Sequence, residues 1–138
     1  MDFVKNFSIQ EFVDPITYTD FGEKSWQIFD DRIILSIQKL RDYFDKPITI
    51  NNWFSGGQFK FRGFRPPSCT IGAIVSAHRF GRAIDFDVAG MKAEEVRQVI
   101  IQKHEELFPL IMRMEAGVNW VHIDTVWTGK REIVLFHA

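Results

Sequence analysis

The chain has almost no cysteine, no excess of either charge and no long apolar run. Cys69 is its only cysteine, which excludes an internal disulfide and a zinc site built from several thiolates. A formal net charge of −1 gives no electrostatic support for nucleic-acid binding. No apolar stretch approaches the roughly 20 residues of a membrane-spanning helix, so we also predict that no membrane is a partner.

The N-terminus and the length indicate where the protein is made and how many domains it has. The first residues lack the basic segment and apolar run of a signal peptide, so we expect synthesis in the cytosol without such a leader. The 138 residues fit a single domain, residues 1–138, which can bury a core without disulfides. We expect this domain to be a monomer.

Hydrophobic periodicity predicts an α+β domain. Apolar residues recur every three or four positions over residues 25–44 and 92–107, which predicts two helices. Pro15 is expected to prevent a helix in the N-terminal arm. Strands are predicted at residues 47–52, 83–88, 110–115, 119–125 and 132–136. Together these elements predict a mostly antiparallel sheet with helices packed on one side.

Two short segments contain residues that could bind a metal ion. His78 and Asp85 lie in SAHRFGRAID (residues 76–85), and His122 lies in WVHID (residues 120–124). If these segments reach neighbouring strands, the three side chains can meet. Two imidazoles and a carboxylate are ligands of a catalytic zinc, which leaves a fourth position for water. Bound zinc lowers the pKa of that water to about 7, which makes hydroxide available at neutral pH.

The same residues have an ordinary structural interpretation. In that interpretation His78 is a loop histidine, Asp85 pairs with Arg82 or Arg79, and His122 is a buried histidine whose hydrogen bonds are satisfied. The residue types alone leave both interpretations open. The other two histidines, at positions 104 and 137, are not at ligand spacing and are predicted to lie on the surface.

The first segment matches a known signature at five fixed positions. Ser76, His78, Gly81, Ala83 and Asp85 have the spacing S-x-H-x-x-G-x-A-x-D. This pattern resembles the zinc D-alanyl-D-alanine carboxypeptidase and L-alanyl-D-glutamate endopeptidase family. That family includes VanY-like enzymes, many phage endolysins and, by fold, the hedgehog signalling domain. The WVHID segment is similar to the family's second motif, and the order of segments is similar from about residue 7 to residue 125.

This resemblance implies a fold, a cofactor and a reaction. The domain would have a hedgehog/DD-peptidase-like fold, in which His78, Asp85 and His122 bind one zinc ion. The enzyme would hydrolyse a peptide bond in the stem peptide of bacterial peptidoglycan, as a carboxypeptidase or an endopeptidase. Its simplest setting would be a phage or prophage lysis enzyme that acts at the cell wall after release from the cell.

The resemblance also implies two substrate-binding residues. Arg65 lies in Gly-Phe-Arg-Pro-Pro, which is similar to the family's Gly-Tyr-Arg-Ser-Pro loop, and would contact a substrate carboxylate or the developing oxyanion. Ser76 would place a hydroxyl near the substrate. The alternatives are a solvated loop arginine for Arg65 and, for Ser76, a turn residue that orients His78.

The chain departs from the family pattern at the catalytic acid/base. Many members have Glu or Asp three residues before the last ligand, where this chain has Asn119. An asparagine cannot accept a proton from water. Either another carboxylate takes that role, or the domain is a non-enzymatic, zinc-stabilised binding or virion-structural domain.

Glu115 is the predicted replacement. A hairpin loop at residues 116–119 would pair Glu115 with Trp120 and Arg113 with His122, which places Glu115 on the metal-ligand face. Asp124, on the same face, is the alternative base, although it could instead orient a ligand histidine. The alternative role of Glu115 is an ion pair with Arg113 or another arginine.

Overall fold

Three α-helices and five strands make up the computed structural model, which describes residues 4–73 and 75–137. The helices are α1 (Pro15–Phe21), α2 (Asp31–Phe44) and α3 (Ala93–Leu107). The strands are β1 (Ile48–Thr49), β2 (Ala83–Val88), β3 (Arg113–Glu115), β4 (Val121–Asp124) and β5 (Val134–Phe136). Four 3-10 helices lie at Ile9–Glu11, Gly22–Ile28, Trp53–Ser55 and Ala77–Phe80. Within the described residues, none of the helices has the length and hydrophobicity needed to span a bilayer.

The N-terminal arm contains a helix that the sequence analysis excluded. Pro15 is the first residue of α1, a position at which the N–H that proline lacks would have no intrahelical partner. Asp14 caps this helix by accepting hydrogen bonds from the N–H groups of Ile16 and Thr17, at 3.1 Å each. The prediction was wrong because proline disrupts a helix only in its interior.

The long helix predicted over residues 25–44 is two shorter elements. The first, a 3-10 helix, ends at Ile28, and α2 begins at Asp31 with Asp30 as its N-cap. The side chain of Asp30 accepts a hydrogen bond from the Arg32 N–H at 2.9 Å. The N–H of Asp30 donates to the Gly81 carbonyl at 3.0 Å. The hydrogen bond between Asp30 and Gly81 therefore joins the start of α2 to the segment that contains His78.

The five strands form a mixed sheet with the order β1-β2-β4-β3-β5. Antiparallel pairings join β1 to β2, β2 to β4 and β4 to β3, whereas β5 lies parallel to β3. The α+β class is confirmed, and the mostly antiparallel sheet is corrected to a mixed one. The reason is that β4 ends beside the start of β3. The chain then crosses to the other edge of β3 and begins β5 there, so β5 runs in the same direction as β3.

The sheet has one apolar and one polar face. Side chains alternate along a strand, so Ile84 and Phe86 of β2 point away from Asp85. Ile84 lies opposite Ile123 of β4, and these residues share an apolar core with side chains of α2 and α3. The helices thus cover one face. Asp85 and His122, which lie opposite each other in the register, occupy the other face.

We expect a sharp turn at Gly81 to be required for stability. Gly81 has a φ of +67°, and an added Cβ would lie 2.2 Å from the Ile28 carbonyl oxygen. Gly81→Ala should therefore lower the free energy of unfolding by more than the ~1–2 kcal/mol that a left-handed alanine costs. Gly129→Ala is the matched control, because Gly129 has a φ of +74° and no atom within 4 Å of an added Cβ. Urea unfolding measures both variants, and equal losses would contradict a role for the Ile28 contact.

Candidate metal centre

Three side chains meet on the polar face of the sheet. Asp85 lies in β2 and His122 lies opposite it in β4. His78 lies in the 3-10 helix Ala77–Phe80, directly before β2. Each residue contributes one potential ligand atom, and these three atoms all lie within 4.8 Å of one another. All three residues are buried. These residues are therefore positioned to bind a metal ion.

The backbone orients the ring of His78. Its Nδ1 lies 2.8 Å from the Gly63 carbonyl oxygen, which only accepts hydrogen bonds, so Nδ1 carries a proton. The other nitrogen, Nε2, lies 3.2 Å from Oδ1 of Asp85 and is the atom that faces the cluster. The hydroxyl of Ser76 accepts a hydrogen bond from the His78 N–H at 3.3 Å. Ser76 thus orients His78 and also lines the adjoining cavity.

His122 lies between two carboxylates. Its Nδ1 is 2.9 Å from Oδ1 of Asp85, and its Nε2 is 2.8 Å from Oδ2 of Asp124. Both ring nitrogens donate in this arrangement, so the ring is an imidazolium when no metal is bound. Burial opposes that charge, but hydrogen bonds to Asp124 and Asp85 outweigh it and raise the pKa of His122 to about 9.

Asp85 is the carboxylate that the cluster shares. Burial opposes its ionisation, but hydrogen bonds from His122 and His78 outweigh burial and hold the pKa of Asp85 well below its usual range. Both imidazoles approach the same oxygen, Oδ1, so two nitrogens and one carboxylate oxygen converge on one point. This donor set fits zinc held by three protein ligands.

Asp124 supports His122 from the far side of its ring. It is fully buried, and its carboxylate accepts hydrogen bonds from Nε of Arg113 at 3.0 Å and from the Val126 N–H at 3.2 Å. Burial opposes ionisation here too, but His122 and Arg113 keep the pKa of Asp124 below its usual value. Asp124 therefore has the contacts of a group that orients a ligand histidine rather than those of a free base.

A cavity of about 450 Å³ adjoins the cluster. The residues that line it are Arg65, Ile71, Gly72, Ala73, Val75, Ser76, Ala77, His78, Asp85, Arg113, Glu115, Trp120, His122 and Phe136. Glu115 is buried and lies in this wall, whereas Asn119 lines a different cavity, beside α3. Among the described residues, no ion pair involves Glu115, and Arg113 pairs with Asp124 at 2.9 Å.

The register of β3 and β4 differs from the predicted one. Arg113 lies opposite Asp124, and Met114 lies opposite Ile123, so the predicted pairing of Arg113 with His122 was wrong. The loop is longer than four residues, which shifts the pairing by two positions and leaves every side chain on its predicted face. Continued by one residue, this register places Glu115 opposite His122 rather than Trp120.

Arg65 reaches the cluster from the loop before it. Its Nε donates to the Phe61 carbonyl at 3.0 Å, and its Nη2 lies 3.3 Å from Oδ2 of Asp85. A second cavity, of about 280 Å³, shares Arg65 and Asp85 with the first and continues toward residues 58–62. No residue of this part of the cleft except Arg65 and Asp85 was predicted from the sequence, although aromatic and basic residues alternate in QFKFR (residues 58–62), a pattern that could have indicated a binding surface.

The two histidines outside the cluster differ from each other. His104 is buried in α3, where its Nε2 lies 2.7 Å from the Ile111 carbonyl oxygen. The prediction of a surface position was wrong because this contact joins the end of α3 to the chain that follows it. His137 is exposed, as predicted.

We expect the protein without metal to lose stability as pH rises. The raised pKa of His122 adds stability that is complete below its ordinary pKa of 6.5 and is lost as pH passes about 9. The loss should be at most about 3–4 kcal/mol, since the pKa of His122 rises from 6.5 to about 9 and one pKa unit corresponds to about 1.4 kcal/mol. Urea unfolding of chelator-treated protein at about pH 6 and about pH 10 measures it. His122→Gln is the control and should show a smaller change, whereas a flat wild-type profile would contradict this assignment.

Comparison with known proteins places the chain in a family. The sequence model of the family described as Peptidase M15 matches residues 6–124, a range that contains all three candidate ligands. A search of curated proteins finds no match, and neither does a search of solved structures. Members of this family are zinc-dependent peptidases, in agreement with the donor set of the cluster. The chain therefore belongs to the peptidase M15 family.

Proposed function

We propose that this protein is a zinc metallopeptidase that hydrolyses a peptide bond in the stem peptide of bacterial peptidoglycan. The observation that carries the proposal is the buried cluster of His78, Asp85 and His122 beside a cleft, in a chain of the M15 family. We further propose a hedgehog/DD-peptidase-like fold and the role of a phage or prophage lysis enzyme at the cell wall, both by resemblance to the motifs of such enzymes.

The proposed roles of the residues follow from their contacts. His78, Asp85 and His122 would hold the metal, and Asp124 would keep the His122 ring in place by its 2.8 Å contact. Zinc, when bound, supplies a Lewis acid and a hydroxide at neutral pH. Glu115 is the general acid/base that we propose, because it faces the metal cavity and has no ion-pair partner among the described residues.

The cleft suits a peptide with carboxylates. Arg65 offers a planar guanidinium between the two cavities, and such a fork binds a carboxylate or a developing oxyanion through two parallel hydrogen bonds. Stem peptides contain free carboxylates. Because Arg65 and Asp85 line both cavities, the cleft extends beyond the metal cluster and offers space for several residues of a peptide.

A second candidate is a non-enzymatic, zinc-stabilised binding or virion-structural domain. It is favoured by Asn119, which occupies the position at which many proteins with the same motifs have the catalytic acid/base. Asn119 lines a cavity that contains none of the three candidate metal ligands. Such a domain would bind zinc and would not release peptide from cell walls.

We expect the zinc-loaded protein to release peptide fragments from purified peptidoglycan. Treatment with a chelator should abolish the release and added zinc should restore it, because hydroxide formation depends on the metal. Mass spectrometry of the fragments identifies the bond. Asp85→Asn is the matched control, since it removes the shared ligand charge and should lose both zinc and activity. Zinc-loaded protein that binds peptidoglycan without releasing fragments would favour the binding domain instead.

We expect Glu115→Gln to lower turnover by about 10²–10⁴-fold, the usual cost of removing an acid/base. Zinc content and the unfolding midpoint should stay unchanged, because the amide has the same shape as the carboxyl and the ligands are intact. Glu106→Gln, at an exposed position in α3, is the control and should keep full activity. Full activity of the Glu115 variant would assign the role to another group.

A further inference from the structure

One arginine next to the metal cluster binds three backbone carbonyls. Arg79 follows His78 in the chain, and its guanidinium donates to the carbonyl oxygens of Pro66 at 3.1 Å, Cys69 at 2.6 Å and Ala73 at 3.0 Å. All three acceptors lie in residues 66–73, which we call the cleft-wall loop. This loop contains no helix or strand, so the Arg79 side chain supplies much of the hydrogen bonding that regular structure would otherwise provide.

The chemistry of these contacts requires an arginine. A guanidinium has five N–H donors in a rigid plane and can reach several carbonyls at once, whereas a lysine ammonium acts as a point donor on a flexible stem. Hydrogen bonds from a charged donor are shorter and stronger than neutral ones. Arg79 therefore fixes the shape of the cleft-wall loop, which supplies Ile71, Gly72 and Ala73 to the wall of the metal cavity.

The cleft-wall loop packs directly against Arg65. Gly72 has a φ of +78°, and a Cβ added there would lie 2.6 Å from Nη1 of Arg65. The guanidinium of Arg65 is held on its other sides by the Phe61 carbonyl and by Asp85. The backbone of Gly72 thus lies against Nη1 of Arg65, and no larger residue fits there without displacing the Arg65 guanidinium, which also lines both cavities.

We propose that Arg79 is a positioning residue for Arg65. Arg79 holds the cleft-wall loop, and Gly72 of that loop keeps the guanidinium of Arg65 beside Asp85, where it meets a substrate carboxylate or oxyanion. The proposal rests on the proposed peptidase function for its effect on turnover. Arg79 itself lines neither of the two cavities.

A double-mutant cycle tests this dependence. Arg79→Gln should lower kcat/KM on the order of tenfold, mainly through KM, because Arg65 is no longer held in place. In an Arg65→Ala background the same substitution should change kcat/KM less than about twofold, since nothing remains for the loop to position. Arg82→Gln, which changes an exposed arginine of the same segment, is the control and should have no effect. If the losses of kcat/KM caused by Arg79→Gln and Arg65→Ala were additive in the double variant, the proposal would be overturned.

Gly72→Ala tests the contact without touching Arg79. It should lower kcat/KM as Arg65→Ala does, while zinc content stays at that of the wild type. Gly129→Ala introduces alanine at a similar φ, +74°, with no atom within 4 Å of the added Cβ, and should keep full activity. If Arg79→Gln lost zinc instead, its effect would pass through the neighbouring His78, and the proposal would be wrong.

A side-chain NMR measurement separates this proposal from the peptidase function. The Nε–H of Arg65 donates to the Phe61 carbonyl, so its signal should be protected from hydrogen exchange in the wild type. Exchange should become faster in Arg79→Gln and remain slow in Arg82→Gln. Unchanged exchange in Arg79→Gln would overturn the positioning role. Absence of hydrolysis by the zinc-loaded wild type would overturn the peptidase function and leave this result intact.

Discussion

The ionised carboxylate of Asp85 is the group on which the rest of the site depends. One of its oxygens faces His78 and His122, and the other faces Arg65. A buried carboxylate is costly unless its charge is matched by nearby donors, so the fold must hold all three partners around it. A bound metal cation has the same requirement for a concentrated negative charge with imidazoles around it. The arrangement that makes the buried charge tolerable is therefore also the one that suits zinc.

The backbone brings these partners together through elements that lie far apart in the sequence. The antiparallel register of β2 and β4 sets Asp85 opposite His122, and the turn at Gly81 returns the chain so that His78 faces both. A second layer supports this cluster: Asp124 holds the His122 ring, and Arg79 holds the loop that packs on Arg65. The apolar face of the sheet, packed against α2 and α3, keeps these strands in place.

Local patterns predicted the elements that local chemistry decides. β2 has the predicted bounds, and α3 begins one residue after its predicted start, because alternation and helical periodicity are strong there. Two predictions failed where a contact between distant segments decides the outcome. The helix predicted over residues 25–44 is interrupted at Asp30, whose N–H donates to the Gly81 carbonyl. The strand β5 pairs parallel to β3 because β4 ends beside the start of β3.

The sequence by itself determined which residues could form the metal cluster, because His78 and Asp85 have a fixed spacing and His122 lies in a second motif. It also determined the faces of the strands, since alternation follows from strand geometry. Only the tertiary structure decided that Glu115 lines the cavity while Asp124 is engaged by His122 and Arg113, and that the loop at residues 66–73 packs on Arg65. These outcomes depend on the register between strands and on distances between segments, which the spacing of residues along the chain does not specify.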